Sequence, residues 1–600
     1  MKHKTLFVAL TVLLLASMAL ASCKPATTPA PLAPTQPPAP TKAPEPTKAP
    51  EPTTAPEPTK EPTKAPEPTA APTATEAPKY AGLKYETSNC DYGGTVKAIE
   101  ALDEFTVKIT FCNPDPAFLA KIAVPAFEIL DADYLAAIGG DAAKLAENPV
   151  GTGPYILKEW VRGDHITFVP NPTYWGVPVA NKTFILKWNA EAAARLLDLQ
   201  AGNTSGIAEV SVDDVPTIQA DPNLKLVPRP INNFIYLGIN NQKPPFDNEK
   251  VRQAFAMAID KQRIVDNFYS PGSVAATQFV PPGVKPGFTE GYKGTQYDPA
   301  KAKQMLQEAN FDFNAEYVLS YAERTRPYFP QPTKIAQDVQ AQLAEIGIKI
   351  KLDMQEWATY LPAARAGNLE LFFLGWSEDY PDATNWYDVF LMGADKAFGA
   401  PYPDIMELIK KAAVLGDPVE RQKLYDQVNV LYDQHVPCIV IAHGTTQLAF
   451  QASVQNVVLG PYNENFPQMQ TADGTLVFSQ DGDAVSLDCA DETDGNSFRA
   501  CLMLFDTLYD FKWGSSELEP SLAEKCVANS TATEWTCTLK KGIKFSNGAS
   551  LDANDVVTSW DIAWDYSNPL RKGNTGVFNY WKSFFGPKAL NQPPEPTPTP

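Results

Sequence analysis

Along residues 80–586, stretches of alternating apolar and polar positions are interleaved with stretches whose apolar residues recur every three or four positions. The first period belongs to half-buried strands and the second to amphipathic helices. Residues 96–101 and 106–111 predict a hairpin turning at Leu102-Asp103-Glu104. Residues 191–201 predict a helix with Ala194, Leu196, Leu197 and Leu199 on or near one face. A second helix is predicted over 248–268, where Val251, Phe255, Ala258 and Ile259 supply the spacing and Asp247 stands at the cap. The steps Asp298-Pro299 and Asp417-Pro418 each open a helix with proline at its first position, running to about 309 and 435. A helix over 335–346 leads into a strand over 348–354, and short apolar strands fall at 369–374 and 438–442. The alternation predicts an α/β protein of several lobes.

The two ends follow neither period. Lys2, His3 and Lys4 precede a mostly apolar run over 6–21, which closes on Leu20-Ala21-Ser22-Cys23. A basic start, a short apolar core and small residues before a cut predict an export signal over 1–23. The ending resembles a bacterial lipobox, which implies cleavage before Cys23 and lipid on its sulfur. A diacylglycerol and an N-acyl group would give the multiple chains that stable anchoring needs. Residues 24–79 repeat Lys-Ala-Pro-Glu-Pro-Thr and hold 18 prolines, so they predict a disordered linker without a core. The tail, 591–600, has the same character.

Six hundred residues, 44% hydrophobic, suffice for large cores. The net charge of −20 argues against nucleic acid as a partner, because phosphate contacts need a basic surface. Four scattered histidines make a His-based metal site improbable, and no metal or cofactor is expected. Export permits disulfides. Cys526 and Cys537 flank a polar turn and would face each other in a hairpin, which makes them the candidate disulfide. Cys489 with Cys501 and Cys90 with Cys112 are further pairings, leaving Cys438 as a buried free thiol.

Pro149-Val-Gly-Thr-Gly-Pro-Tyr155, Asn171-Pro-Thr-Tyr-Trp-Gly176 and Pro244-Pro-Phe-Asp247 are followed by Val251-Arg-Gln-Ala-Phe-Ala-Met-Ala-Ile-Asp260 and Gly375-Trp-Ser-Glu-Asp-Tyr-Pro-Asp382. Further on come Glu519-Pro-Ser-Leu-Ala-Glu524, Trp535-Thr-Cys-Thr-Leu-Lys-Lys-Gly-Ile-Lys-Phe545 and Leu551-Asp-Ala-Asn-Asp-Val-Val557. Together these resemble the solute-binding proteins, family 5, of bacterial peptide importers. The order differs from the family's, whose Glu-Pro-Ser-Leu-Ala and Lys-Gly-Ile-Lys-Phe type segments come first. The chain therefore reads as a circular permutation, with the family's old ends joined through about 460–474.

The resemblance implies a two-lobed α/β fold of the periplasmic-binding-protein type II kind, with an extra small domain. Its expected parts are a small-lobe segment over 80–148, a lobe 1 segment over 149–235 and lobe 2 over 236–450. A second lobe 1 segment over 451–515 and a second small-lobe segment over 516–590 complete it. It also implies a monomer that captures a short peptide outside the cell, hands it to the membrane subunits of an ABC permease and performs no chemistry. By the resemblance, Asp379 lies where relatives hold a ligand ammonium, Arg326 where they hold a carboxylate and Trp376 where a ring flanks the ligand. Tyr360 is a weaker wall residue. The plainer alternatives are a turn cap for Asp379, a surface pair with Glu323 for Arg326 and a core position for Trp376. Residues 494–497 are a polar loop that either touches ligand or simply turns. Other solutes on the same fold, or a surface adhesin or sensor, remain the competing readings. Neither a Gly-x-Ser-x-Gly nor a His-Glu-x-x-His motif occurs to support a hydrolase.

Overall fold

The computed structural model describes residues 80–393 and 396–593. The export signal, Cys23, the 24–79 linker and residues 594–600 of the tail lie outside the described residues. Three main sheets organise the chain. The six-stranded sheet of lobe 2 runs Val274–Ala275, Cys438–His443, Asn233–Ile239, Leu371–Ser377, Glu316–Ala322, Lys349–Gln355. Its strand Asn233–Ile239 is buried at every position. Ile235, Leu237 and Ile239 enter one apolar cluster while Phe234 and Tyr236 enter the other, so helices cover both faces of the sheet.

Lobe 1 is built on a seven-stranded sheet in the order Tyr155–Val161, His165–Pro170, Thr183–Trp188, Thr475–Gln480, Gly206–Ile207, Gln447–Gln451, Leu224–Pro228. The strand Gln447–Gln451 belongs here, which corrects the expected lobe 2 limit at 450. Its Leu448, Ala449 and Phe450 are all buried and pair with Leu224–Pro228. The small lobe is a five-stranded sheet drawn from both ends of the chain: Lys84–Glu86, Val96–Asp103, Thr106–Phe111, Glu534–Leu539, Ala523–Ala528. Lobe 1 and the small lobe share one continuous apolar cluster. Each fully buried Leu or Phe in it contributes roughly 1.5–3 kcal/mol, more than exposed ion pairs generally add. Burial therefore holds the lobes together, and surface ion pairs add little.

The chain passes between the two large sheets twice, near 228–233 and 443–447. These crossovers are tied to each other: Arg229 N donates to Thr446 O at 2.9 Å and Thr445 Oγ1 donates to Arg229 O. The helix expected over 248–268 is two helices, Glu249–Ala258 and Lys261–Phe268. Ile259 is extended and Asp260 caps the second helix through Arg263 N at 3.0 Å, a stop and start that the unbroken apolar spacing conceals. Asn248, not Asp247, caps the first through Lys250 N at 3.0 Å. Disulfides join Cys90 to Cys112, Cys489 to Cys501 and Cys526 to Cys537, and Cys438 is free and buried. Among the described residues no helix is long and apolar enough to cross a membrane.

Candidate functional site

The strand Leu371–Ser377 carries the chain out of the lobe 2 core and releases it into Glu378-Asp379-Tyr380-Pro381-Asp382. The far end of this loop is fixed first. Asp382 caps the helix Ala383–Leu391 through Thr384 N at 2.9 Å and takes both guanidinium nitrogens of Arg421, at 2.6 and 2.8 Å. Burial alone would raise the Asp382 carboxyl; the Arg421 charge outweighs it and holds the group below its ordinary value. The near end is fixed by Glu378 N donating to Asn232 O at 2.8 Å.

Between these anchors stand two acids. Glu378 is buried, accepts from Trp386 Nε1 at 3.1 Å and from the Tyr462 hydroxyl, and is pushed up to about 7 by burial. Asp379 accepts from Asn385 Nδ2 at 3.3 Å and from the Tyr580 hydroxyl at 3.3 Å. Burial pushes it up to about 6, and no cation opposes the shift. Its partners are neutral donors contributed by lobe 2 and by the small lobe. Such a carboxylate suits a charge-assisted bond to a cation brought by a ligand.

Near the loop, residues of both lobes line a half-open cavity of about 230 Å³. Asn232, Asn233, Pro327 and Ser377 face it from lobe 2, and Glu209, Tyr462, Phe498 and Arg499 from lobe 1. Phe498 also packs on Tyr580, with ring centroids 5.5 Å apart, which links the cavity wall to the ring that holds Asp379. The cavity floor is an ionic network. Glu464 takes Arg499 Nε and Nη2 at 3.1 and 3.0 Å, and Arg229 Nη2 as well. Burial would raise the Glu464 carboxyl, but the Arg499 and Arg229 charges hold it at about 2. Because Arg229 sits on a crossover and Arg499 on the helix Gly495–Leu504, the network fastens that crossover to lobe 1.

The other expected residues are placed as follows. Arg326 lies half-buried with its guanidinium 5.8 Å over the Trp357 ring; its Nε has no partner, and Glu323 bonds to Thr333 instead. Trp376 packs edge-on against Phe390 at 5.9 Å, and its buried Nε1 has no partner. Tyr360 is fully buried, with its hydroxyl donating to Phe373 O at 2.5 Å and Ser320 O at 3.2 Å. That places Tyr360 in the lobe 2 core, where it lines a small pocket with Arg326 and Trp357; Asp379, Arg326, Trp376 and Tyr360 all lie outside the lining of the interlobe cavity. Asp494 caps the helix Gly495–Leu504 through Ser497 N at 2.8 Å, so the 494–497 loop is a helix start. Glu464, Arg499, Arg229, Tyr462 and Tyr580 escaped the sequence reading. Only Arg499 carries a local signal, as a cation within the apolar stretch Phe498-Arg-Ala-Cys-Leu502.

A crossover-joined pair of α/β lobes with a half-open pocket between them, near a loop that carries a cation-free acid, is the architecture of a two-lobed solute binder. The family model for bacterial extracellular solute-binding proteins, family 5 Middle, matches residues 34–398 and 517–582. The chain belongs to that family. It is 32% identical over 380 residues to a di/tripeptide-binding protein of Pseudomonas aeruginosa, covering 62% of this chain and 70% of that one. Among solved structures it is similar to HbpA2 from Haemophilus parasuis, with a TM-score of 0.57 and 30% identity over 62% of this chain and 74% of that one. It is also similar to a dipeptide-binding protein from Pseudoalteromonas in complex with Met-Leu, with a TM-score of 0.50 and 26% identity over 61% and 73%.

Proposed function

We propose that this protein captures short peptides between its lobes, outside the cytoplasmic membrane, for delivery to an ABC permease. The observation that carries the reading is Asp379, an enclosed carboxyl supplied only with neutral donors. A peptide ammonium completes it. Arg326, whose Nε has no protein partner, takes the ligand carboxylate, and a guanidinium fork suits two oxygens. Trp376 flanks the bound chain. Relatives named for dipeptides and di/tripeptides favour this ligand class over the others on the same fold. Cys23 anchors the protein by lipid. The binding step needs no bond-making chemistry.

We also propose that the chain order is a circular permutation of the family's. Both chain ends build the small lobe: Thr95 N donates to Phe585 O at 2.7 Å, and Leu83 N to Asn554 Oδ1 at 2.8 Å. The 380 residues aligned to the Pseudomonas relative are about the length of 85–460, the stretch that retains the family's later motifs in order.

Native mass spectrometry of the protein isolated without refolding tests the function. A bound mass in the short-peptide range, lost on denaturation and absent from Asp379→Ala, is the expected result. A folded protein that carries no such mass and takes up no dipeptide favours a surface adhesin or sensor.

A further inference from the structure

A second cavity, of about 250 Å³, lies in the joint body of lobe 1 and the small lobe and shares no lining residue with the interlobe cavity. Its lining includes three carboxyls, Glu128, Asp506 and Asp510, and no lysine, arginine or histidine. Glu128 is only 2% exposed, and no side chain donates to either of its oxygens; the backbone amides of Cys489 and Ala490 lie close enough to favour its charged form but fall short of full hydrogen-bond geometry. Asn465 is 8% exposed and lines the same space, and its Oδ1 accepts nothing. Asp506 is better provided for, by Thr152 Oγ1 at 2.8 Å and Trp175 Nε1 at 2.9 Å. Asp510 has the amide of Phe511 at 2.6 Å. Lys540 stands outside the lining, its Nζ bonded to Pro520 O at 3.2 Å and 4.3 Å over the Trp175 ring.

Under-supplied buried acceptors are costly, and the Glu128 carboxyl and Asn465 Oδ1, in a space lined by two further acids and no basic residue, describe the complement of a cation. The walls between them are apolar or aromatic: Val177, Leu502, Phe505 and Trp513. We propose that this cavity binds a small organic ammonium ion, with its charged head at Glu128 and Asn465 and its alkyl body along these walls.

A metal ion fits less well. Among the described residues, the one close group of three ligand-type side chains here joins Glu128 to Cys489 and Cys501, and those two sulfurs are already bonded to each other. Burial raises the Glu128 carboxyl well above its ordinary value, the Asp488 charge adds to the rise, and the Cys489 and Ala490 amides offset it in part. Burial likewise pushes Asp510 up to about 7. A bound ammonium would return both to the charged form. Access runs past Val177, which is 67% exposed, where Gln468 Nε2 bonds to Val177 O at 3.4 Å and Pro178 O at 3.2 Å.

The test is isothermal titration of the full-length protein with n-butylamine and with 1,4-diaminobutane at constant ionic strength, alongside calcium chloride. Saturable binding of an amine is expected. Glu128→Gln should weaken it at least tenfold, and Val177→Trp at the exposed mouth should block it, while Asp379→Ala should leave it unchanged. The last variant separates this site from the peptide cleft, so the failure of either reading does not carry the other. Absence of saturable amine binding overturns the proposal. So does equal binding of calcium, or an amine signal that survives both Glu128→Gln and Val177→Trp. If Glu128→Gln does not fold, the mouth variant decides alone.

Discussion

The Tyr580 hydroxyl donates to Asp379 Oδ1 at 3.3 Å across 201 positions of sequence, so a helix of the small lobe supports the acid at the end of a lobe 2 strand. A peptide ammonium that replaces or joins this contact needs the carboxylate charged. Burial holds Asp379 at about 6 without ligand. Below that pH a proton must leave before the ammonium binds. Peptide affinity should therefore peak near pH 7, fall by up to tenfold per unit below about 6, and fall again above about 8, where the ligand's own amino group loses its proton. Asp379→Ala should cost ~2–5 kcal/mol at pH 7.5 and abolish the fall on the acid side. Calorimetry with a neutral dipeptide measures both. A dissociation constant that ignores pH and the substitution removes Asp379 from the site.

The unliganded fold should respond to pH in the opposite sense. Glu378, at about 7, and Asp379, at about 6, bind a proton more tightly folded than unfolded. Their contribution favours folding at low pH, is complete below the unfolded values near 4, and is lost as pH rises through 6 and 7. Glu464, held at about 2, runs the other way: its contribution is present above about pH 4.5 and is lost only as pH falls through 2. Between pH 5.5 and 8 the raised groups dominate, so the urea midpoint of the empty protein should fall as pH rises. Glu378→Gln should flatten that slope, and an unchanged slope would exclude Glu378 as its source.

Glu464 neutralises two guanidiniums at once, with only 4% of its side chain exposed. Glu464→Gln leaves Arg229 buried without its carboxylate partner and leaves Arg499 only the more distant Glu209, at 3.9 Å. The expected loss is roughly 3–5 kcal/mol of stability, larger than most single substitutions cause. Because Arg229 lies on a crossover, the variant should also loosen the tie between the crossover and lobe 1. Faster amide exchange confined to 228–232 and 443–447 would show this.

The apolar pattern gave away the elements more readily than the site. The helix Pro418–His435 was legible to the residue, because Asp417 and Pro418 act within one turn of its start. The break at Asp260 was not, because Val251, Phe255, Ala258, Ile264 and Val265 face one core across it and keep an unbroken spacing. Asp379 stood out as a candidate through the motif around it. Its partner Tyr580 was not, since the two meet only when the small lobe docks on lobe 2. Arg229 and Glu464 stand 235 positions apart and become neighbours only through the two crossovers, so no local period marks either. Tyr360 lines a small pocket with Arg326, and nothing in its spacing marks how deeply it is buried. A tyrosine near a ligand motif reads as a wall, but its hydroxyl is satisfied by the carbonyls of Phe373 and Ser320 inside the lobe.

Cys526 and Cys537 are direct partners in the hairpin Ala523–Ala528 and Glu534–Leu539, which forms one edge of the small-lobe sheet. The bond closes a separation of 11 residues, a short loop for which chain entropy predicts about 2–3 kcal/mol. The double variant Cys526→Ser with Cys537→Ser should lose that amount in urea denaturation and still bind peptide, because the hairpin lies outside the cleft lining. Loss of binding in a folded double variant would tie the small lobe's edge to the cleft.

Chain order is the sharpest test of the family reading. The strand Thr475–Gln480 lies in the middle of the lobe 1 sheet, parallel to Thr183–Trp188 and to Gly206–Ile207, although nearly 300 residues separate it from the first of these. Sheet position is set by the buried Leu476 and Phe478, which enter the same apolar cluster as Phe184 and Leu186, not by when the strand is made. Under the proposed permutation, a gene opened near 474 and closed by a linker from about 592 to 81 restores the family's order and keeps every strand pairing. Loop closure of that kind changes stability by only about 1 kcal/mol for modest linkers. The restored order should therefore fold with the same near-ultraviolet circular dichroism, a urea midpoint close to that of the natural order, and the same peptide affinity. A restored chain that folds while the natural order does not would show that the permuted arrangement fails to make a working cleft. A restored chain that does not fold would refute the permutation itself.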